Sequence, residues 1–309
     1  MRIFIVSSVL HYLFAKIIIE KYSANNSKIF YLQWDKNLET SFENINNFFT
    51  KKTNLFSFSD EHIIKLFKRE EVELIISNRF DSRQAHIAKK GREYGAKISM
   101  LEEGASIYLS APHFNFSPTL NEIKFYLGLF KYAFPVRYFD RVYTLNIFNI
   151  PGLGKKAEVI DLKEDFLGMN ISSKYNDCNF ILSQWLLKYD YIDIEELIET
   201  YKSLKLENKS TYYKPHPWDR PEDTNRIVKE CNFKLVHDDN LPVELHLLSA
   251  KNITLYGFWT TSMFYIDYFT ENKVVSILKK LSIKNKKLET LYKRVKGLIK
   301  KSTIIEILS

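Results

Sequence analysis

The hydrophobic positions of this chain fall into short apolar runs separated by stretches of helical spacing. Residues 3–7 read as a strand and 11–22 as a helix, then 28–34 as a strand and 38–49 as a helical stretch. Residues 55–58 form a short ambiguous run. In 61–70, Ile63, Ile64, Leu66 and Phe67 recur at helical spacing. Residues 72–77 read as a strand, 82–94 as a helix closed by Gly95, and 97–101 as a strand. Strands separated by helices of this length predict parallel βαβ units.

Residues 111–135 are aromatic and interrupted by Pro112, Pro118 and Pro135, which predicts an irregular excursion over one face. Residues 141–145 read as a strand. Pro151-Gly152-Leu153-Gly154 then reads as a linker. The second half repeats the alternation. Strands are expected at 179–183, at the run into Thr211-Tyr212-Tyr213, and at 233–236, 252–256 and 274–278. Helices are expected at 193–205, 222–231 and 242–249. The pattern predicts an α/β chain of two Rossmann-like domains facing a cleft, residues 1–154 and 155–309, the second ending in a basic helical tail.

Composition narrows the class. The chain has 309 residues, 45% hydrophobic and 27% charged, and its 23 Phe and 19 Tyr supply large cores. Cys178 and Cys231 make neither a disulfide framework nor a zinc site, which points to a reducing compartment. The apolar N-terminus lacks a basic leader and a small-residue cleavage site, and His11 and Lys16 interrupt it. It therefore reads as a buried strand rather than a signal peptide, and a cytoplasmic protein is expected. The seven histidines lack ligand spacing, so no metal is expected. No nucleic-acid partner is expected, because no helix-turn-helix, zinc or RNA-recognition signature is present.

The net charge of +8 is concentrated near the C-terminus, where ten basic residues between Lys279 and Lys301 face the single acid Glu289. Leu288, Leu291, Val295, Leu298 and Ile299 recur there at roughly helical spacing. One reading is a helix that docks peripherally on the anionic inner face of the cytoplasmic membrane. The other is a helix that packs its apolar side onto the N-terminal domain and leaves its lysines in water.

The candidate chemistry lies in three loops at strand ends, where open α/β sheets bind ligands. The first is Glu102-Glu103-Gly104. Adjacent carboxylates repel, and burial raises a carboxyl pKa, which prepares a general base. Gly104 lets the chain turn sharply. The second is Lys214-Pro215-His216-Pro217. The two prolines stiffen the loop and leave His216 with little backbone freedom, placed to donate to a phosphate or protonate a leaving group. The third is Thr260-Thr261-Ser262, whose hydroxyls and backbone N–H groups open a helix and suit an anion. Glu244, just after a strand, is placed to accept from ribose hydroxyls. A surface acidic pair, a turn histidine and an ordinary helix cap are the plain structural alternatives for the same residues.

The ordered set resembles bacterial sialyltransferases of the lipooligosaccharide sialyltransferase and polysialyltransferase type. Those share an acidic-acidic-Gly motif, a His-Pro motif and a paired Ser/Thr motif, in that order. Here they are Glu102-Glu103-Gly104, His216-Pro217 and Thr260-Thr261-Ser262. The chain departs from the pattern in having Glu at both acidic positions and three hydroxyls for two places. The resemblance implies a two-domain glycosyltransferase-B fold and inverting transfer from CMP-sialic acid to a hydroxyl of a cell-surface glycan, without a required metal. It implies that the N-terminal domain holds the acceptor and the C-terminal domain CMP. Glu102 or Glu103 would be the base and His216 would act on the departing phosphate. Thr260, Thr261, Ser262, Glu244, Lys214 and Pro217 would hold the donor.

Two other readings remain open at the level of sequence. One is a transferase using another cytidylyl donor, CMP-Kdo or a CDP-polyol, in surface polysaccharide assembly. The other is a basic protein without enzyme activity that binds a membrane surface or a polyanion.

Overall fold

In a computed structural model of the chain, all residues are described except 23–25, 33–37, 52, 69–70, 80, 103, 105–133, 151, 170–171, 185, 188–191, 237–240, 279–292, 294 and 307–309. The chain divides into two compact units, Met1–Met169 with Asn240–Pro242, and Asn170–Asp239 with Val243–Ser309.

The first unit begins with β1 (Arg2–Val6), α1 (Val9–Lys21), β2 (Ser27–Tyr31), α2 (Leu38–Asn46), β3 (Leu55–Ser57) and α3 (Asp60–Phe67). It continues with β4 (Glu73–Ile76), α4 (Ser82–Glu93), β5 (Lys97–Leu101), β6 (Arg141–Thr144), β7 (Glu158–Asp161) and α5 (Lys163–Leu167). Among the described residues its sheet has seven strands in the order β3-β2-β1-β4-β5-β6-β7, and every pairing is parallel. Ile3, Phe4, Ile5 and Val6 of β1 are fully buried, as a central parallel strand covered on both faces requires. Local chemistry sets the helix ends. Ser8 caps α1 by accepting from His11 N–H, Asp81 caps α4 by accepting from Arg83 and Gln84, and Gly95 leaves α4 at φ 80°.

The second unit contains β8 (Cys178–Leu182), α6 (Ile194–Lys202), β9 (Ser210–Lys214), α7 (Pro221–Glu230) and β10 (Lys234–Leu235). It ends with α8 (Val243–Leu248), β11 (Thr254–Gly257), α9 (Thr261–Phe269), β12 (Lys273–Ser276) and β13 (Ile305–Glu306). Its sheet runs β10-β9-β8-β11-β12-β13, again all parallel. Counted within the unit, the order is the 3-2-1-4-5-6 of a doubly wound nucleotide-binding sheet. The first unit repeats that order with one strand added. The predicted α/β class with two Rossmann-like units is therefore the observed one.

The structure bears on three expectations. Pro151-Gly152-Leu153-Gly154 does not end the first unit, because β7 follows it and extends the same sheet. A Cβ on Gly154 would lie 2.7 Å from the Arg137 carbonyl, so this glycine serves a close backbone approach rather than a hinge. The strand expected at 274–278, the last that the sequence pattern predicts, is followed by the two-residue β13, which joins its edge and is too short to show a period. The third concerns the tail. Residues 279–292 and 294 lie outside the described residues, but 295–299 are helical, with Val295, Leu298 and Ile299 buried. They are grouped with the second unit, where Thr303 N–H bonds Asp267 of α9 at 3.1 Å. The excursion over 111–133 also lies outside the described residues.

Candidate active site

At the carboxyl edge of the first sheet, Glu102 follows β5 directly and is fully buried. Its Oε2 accepts from the Thr144 hydroxyl and the Leu145 N–H, both at 2.6 Å, at the end of β6. Its own N–H donates to the Tyr143 carbonyl at 2.9 Å. Gly104 has φ 76°, a conformation that favours glycine. Glu103 lies outside the described residues. Of the acidic pair, Glu102 therefore bridges two strand ends with one carboxylate oxygen.

The switch point of this sheet lies between β1 and β4. Ser7 follows β1 and Ser77 follows β4, and their hydroxyls are 3.3 Å apart. His11 Nδ1 is 3.2 Å from the Ser7 hydroxyl, and burial lowers the His11 pKa to about 4, so its ring is neutral at physiological pH.

The second sheet gathers more. Strand β9 delivers Lys214 at its end, followed by the turn His216-Pro217-Trp218-Asp219. His216 is half-buried and its ring meets Trp218 edge-on at 5.4 Å. His216 Nδ1 accepts the Trp218 N–H at 3.2 Å, so the proton of the neutral ring sits on Nε2. Pro217 is exposed in the middle of this turn. Helix α7 starts where the sequence places it, with Pro221 in its first turn beside Glu222 and Asp223.

Strand β11 ends at Gly257, where a Cβ would lie 2.7 Å from Met263 Sδ. The missing side chain lets α9 start hard against the strand end. Thr260 caps α9, its Oγ1 accepting from Met263 N–H at 3.4 Å. Thr261 is half-buried in the first turn. Ser262 is buried and its hydroxyl donates to Glu244 Oε1 in α8 at 2.7 Å. Burial raises the Glu244 carboxyl above the ordinary range, against the pull of the Ser262 hydroxyl and the Lys214 charge. The structure thus brings Lys214, Glu244 and Ser262 together across three segments. It assigns the three hydroxyls different tasks: Thr260 caps, Ser262 orients Glu244, and Thr261 stands between them on the first turn.

Sequence reading missed Ser183 and Asp219. Ser183 follows β8, its N–H bonds the Lys214 carbonyl at 3.0 Å, and its hydroxyl donates to Asp219 Oδ2 at 2.6 Å. The only signal in the sequence is that Asp219 stands three residues after His216, the spacing that closes a turn. Among the described residues there is no group of three or more His, Cys, Asp and Glu side chains that could hold a metal.

The strand order 3-2-1-4-5-6, with the histidine turn, Glu244 and the start of α9 at its carboxyl edge, puts these residues where open α/β sheets bind ligands. The alpha-2,8-polysialyltransferase family model matches residues 2–279. The chain belongs to this family. It is a glycosyltransferase that moves sialic acid, and CMP-sialic acid is the donor of such sialyltransferases. No curated protein matches it. Among solved structures it is similar to an α/β-galactoside α-2,3-sialyltransferase from Photobacterium phosphoreum, at 15% identity and TM-score 0.60 over 99% of this chain and 97% of that one. A 2,6-sialyltransferase from Photobacterium sp. JT-ISH-224, in complex with CMP and lactose, matches at 12% identity and TM-score 0.58, over 99% of this chain and 78% of that one. A putative UDP-N-acetylglucosamine 2-epimerase from Listeria monocytogenes matches at 8% identity and TM-score 0.56, over 89% and 78%. Likeness that spans transferases and an epimerase establishes the fold, that of the glycosyltransferase-B enzymes. The family assignment rests on the sequence match.

Proposed function

We propose that this sialyltransferase extends a sialylated cell-surface glycan, forming α-2,8 bonds by inverting transfer from CMP-sialic acid. The linkage follows the description of the family. The observation that carries the donor assignment is the grouping of Lys214, Glu244 and Ser262 beside the His216 turn at the carboxyl edge of the second sheet.

In this reading the second unit holds CMP. Glu244, oriented by Ser262, accepts from ribose hydroxyls. Lys214 and the first turn of α9, with Thr261, face the phosphate, because first-turn N–H groups have no acceptor within their helix. His216 donates Nε2–H to a phosphate oxygen, with Pro217 stiffening its turn. The first unit supplies the base. Glu102 is committed to Thr144 and Leu145, so Glu103 takes the proton. The acceptor O–H bond breaks, its oxygen bonds the anomeric carbon of sialic acid, and CMP leaves with the electron pair of the C–O bond. Proton transfer by a positioned carboxylate contributes about 10²–10⁴-fold. Protein groups handle the phosphate charge, and the reaction proceeds without a metal. The enzyme works at the cytoplasmic side and meets anionic lipid through its basic C-terminal segment.

The test is incubation with CMP-sialic acid and a panel of sialosides and galactosides, read by mass spectrometry. Successive sialyl additions on the sialosides are expected. Addition to galactosides alone would overturn the acceptor and linkage. Turnover only with CMP-Kdo or a CDP-polyol would overturn the donor.

A further inference from the structure

The His216 turn contains a carboxylate that the reaction described above does not use. Asp219 Oδ2 accepts from the His216 backbone N–H at 2.9 Å and from the Ser183 hydroxyl at 2.6 Å. The Asp219 N–H donates in return to the His216 carbonyl at 2.9 Å. Residues 216–219 are thus closed from both ends, with Pro217 fixing the backbone between. Ser183 belongs to the end of β8 and is itself bonded to the Lys214 carbonyl at the end of β9. One carboxylate oxygen therefore ties the histidine turn to two neighbouring strand ends of a parallel sheet. Within that turn, Trp218 N–H reaches His216 Nδ1 and leaves the ring proton on Nε2.

We infer that Asp219, anchored by Ser183, is a positioning residue that sets the orientation and tautomer of His216. The inference rests on the reading that His216 acts on the departing phosphate. Asp219 need not touch substrate. Its hydrogen bonds place the His216 backbone, and the closed turn brings the Trp218 N–H to Nδ1.

The energetics favour function over packing for this residue. Asp219 Oδ1 is buried with no hydrogen-bond partner among the described residues. Burial raises the Asp219 carboxyl above its ordinary value, and its charge in turn helps keep the buried Tyr201 and Tyr213 phenols neutral. A desolvated carboxylate with one idle oxygen lowers stability. Asparagine would offer the same acceptor to both donors without the charge. A group that lowers stability where a neutral isostere fits is expected at functional sites.

The experiment uses the full chain with Asp219→Ala, Asp219→Asn and Ser183→Ala, each alone and combined with His216→Ala. Readouts are kcat, KM for CMP-sialic acid, CMP affinity by calorimetry and the thermal midpoint. Asp219→Ala is expected to lower kcat about 10- to 100-fold, the scale of a small misplacement of a reacting group, with CMP affinity kept. Asp219→Asn recovers most of that loss and melts no lower than the native chain. Ser183→Ala lowers kcat in the same direction and serves if Asp219→Ala does not fold. On the residual activity of His216→Ala, the Asp219 and Ser183 substitutions cause no further loss, because they act through the missing ring. Native kcat in both Asp219→Ala and Ser183→Ala, or losses that multiply with that of His216→Ala, overturn the inference. An inactive His216→Ala beside normal Asp219 and Ser183 variants removes only the positioning role. A fully active His216→Ala removes the role of His216 and this inference with it.

Discussion

The Thr144 hydroxyl donates to Glu102 Oε2 at 2.6 Å and commits that carboxylate oxygen to the end of β6. The same oxygen also receives the Leu145 N–H, and Glu102 is fully buried. Glu103→Gln is therefore expected to abolish transfer while CMP binding and thermal stability persist. Glu102→Ala leaves two buried donors unpaired and should destabilise the first unit by about 2–4 kcal/mol. Calorimetry and steady-state kinetics on both variants check this. A fully active Glu103→Gln would place the base elsewhere.

His216→Ala should reduce transfer by about 10²–10⁴-fold while the protein stays folded, since the side chain lies on a half-buried turn. Because Nδ1 already accepts the Trp218 N–H, the proposed contact with phosphate would use Nε2–H. His216→Gln, which supplies an amide donor, should then retain more activity than His216→Ala. Equal activity in the two variants would argue against donation.

Treatment with EDTA should leave the rate unchanged, because the proposed donor site handles phosphate with Lys214, His216 and a helix start. Loss of activity restored by magnesium or manganese would contradict this.

Stability of the first unit should fall on acidification through His11. Its pKa is lowered from 6.5 to about 4 by burial. Above 6.5 neither folded nor unfolded chain carries the proton. Below 6.5 the unfolded chain binds it first, so stability is lost as the pH falls from about 6.5 to 4. The full effect is about 3 kcal/mol at 1.36 kcal/mol per pKa unit. Denaturant titrations of the native chain and His11→Gln at several pH values should diverge over that window, and parallel curves would count against it.

The basic segment should bind anionic vesicles through charge alone. Val295, Leu298 and Ile299 are buried, so those apolar positions are engaged in packing, whereas Lys300 and Lys301 are exposed. Flotation is expected with anionic vesicles at low salt and not at high salt or with neutral lipid. Binding indifferent to lipid charge would contradict the proposal.

Alternating apolar runs and helical periods, with Pro, Gly and acidic residues at the ends of elements, were enough to predict the α/β class. They placed most described strands and helices within a few residues, because burial on both faces of a parallel sheet leaves near-continuous apolar runs, but they gave no sign of β7, α5 or β13. The motif loops were legible for the same reason: each interrupts such a run at a strand end. Tertiary structure alone decided what the side chains in those loops do. The commitment of Glu102 to Thr144 spans 42 residues, that of Ser262 to Glu244 spans 18, and that of Ser183 to Asp219 spans 36. Local periodicity carries no record of such pairs, which exist only because parallel β5 and β6, or β8 and β9, end side by side, or because α8 packs against α9. The extent of the first unit was hidden likewise. Gly154 resembles a hinge in sequence and is a close backbone contact in space, since its close neighbour, the Arg137 carbonyl, comes from a separate segment of the chain.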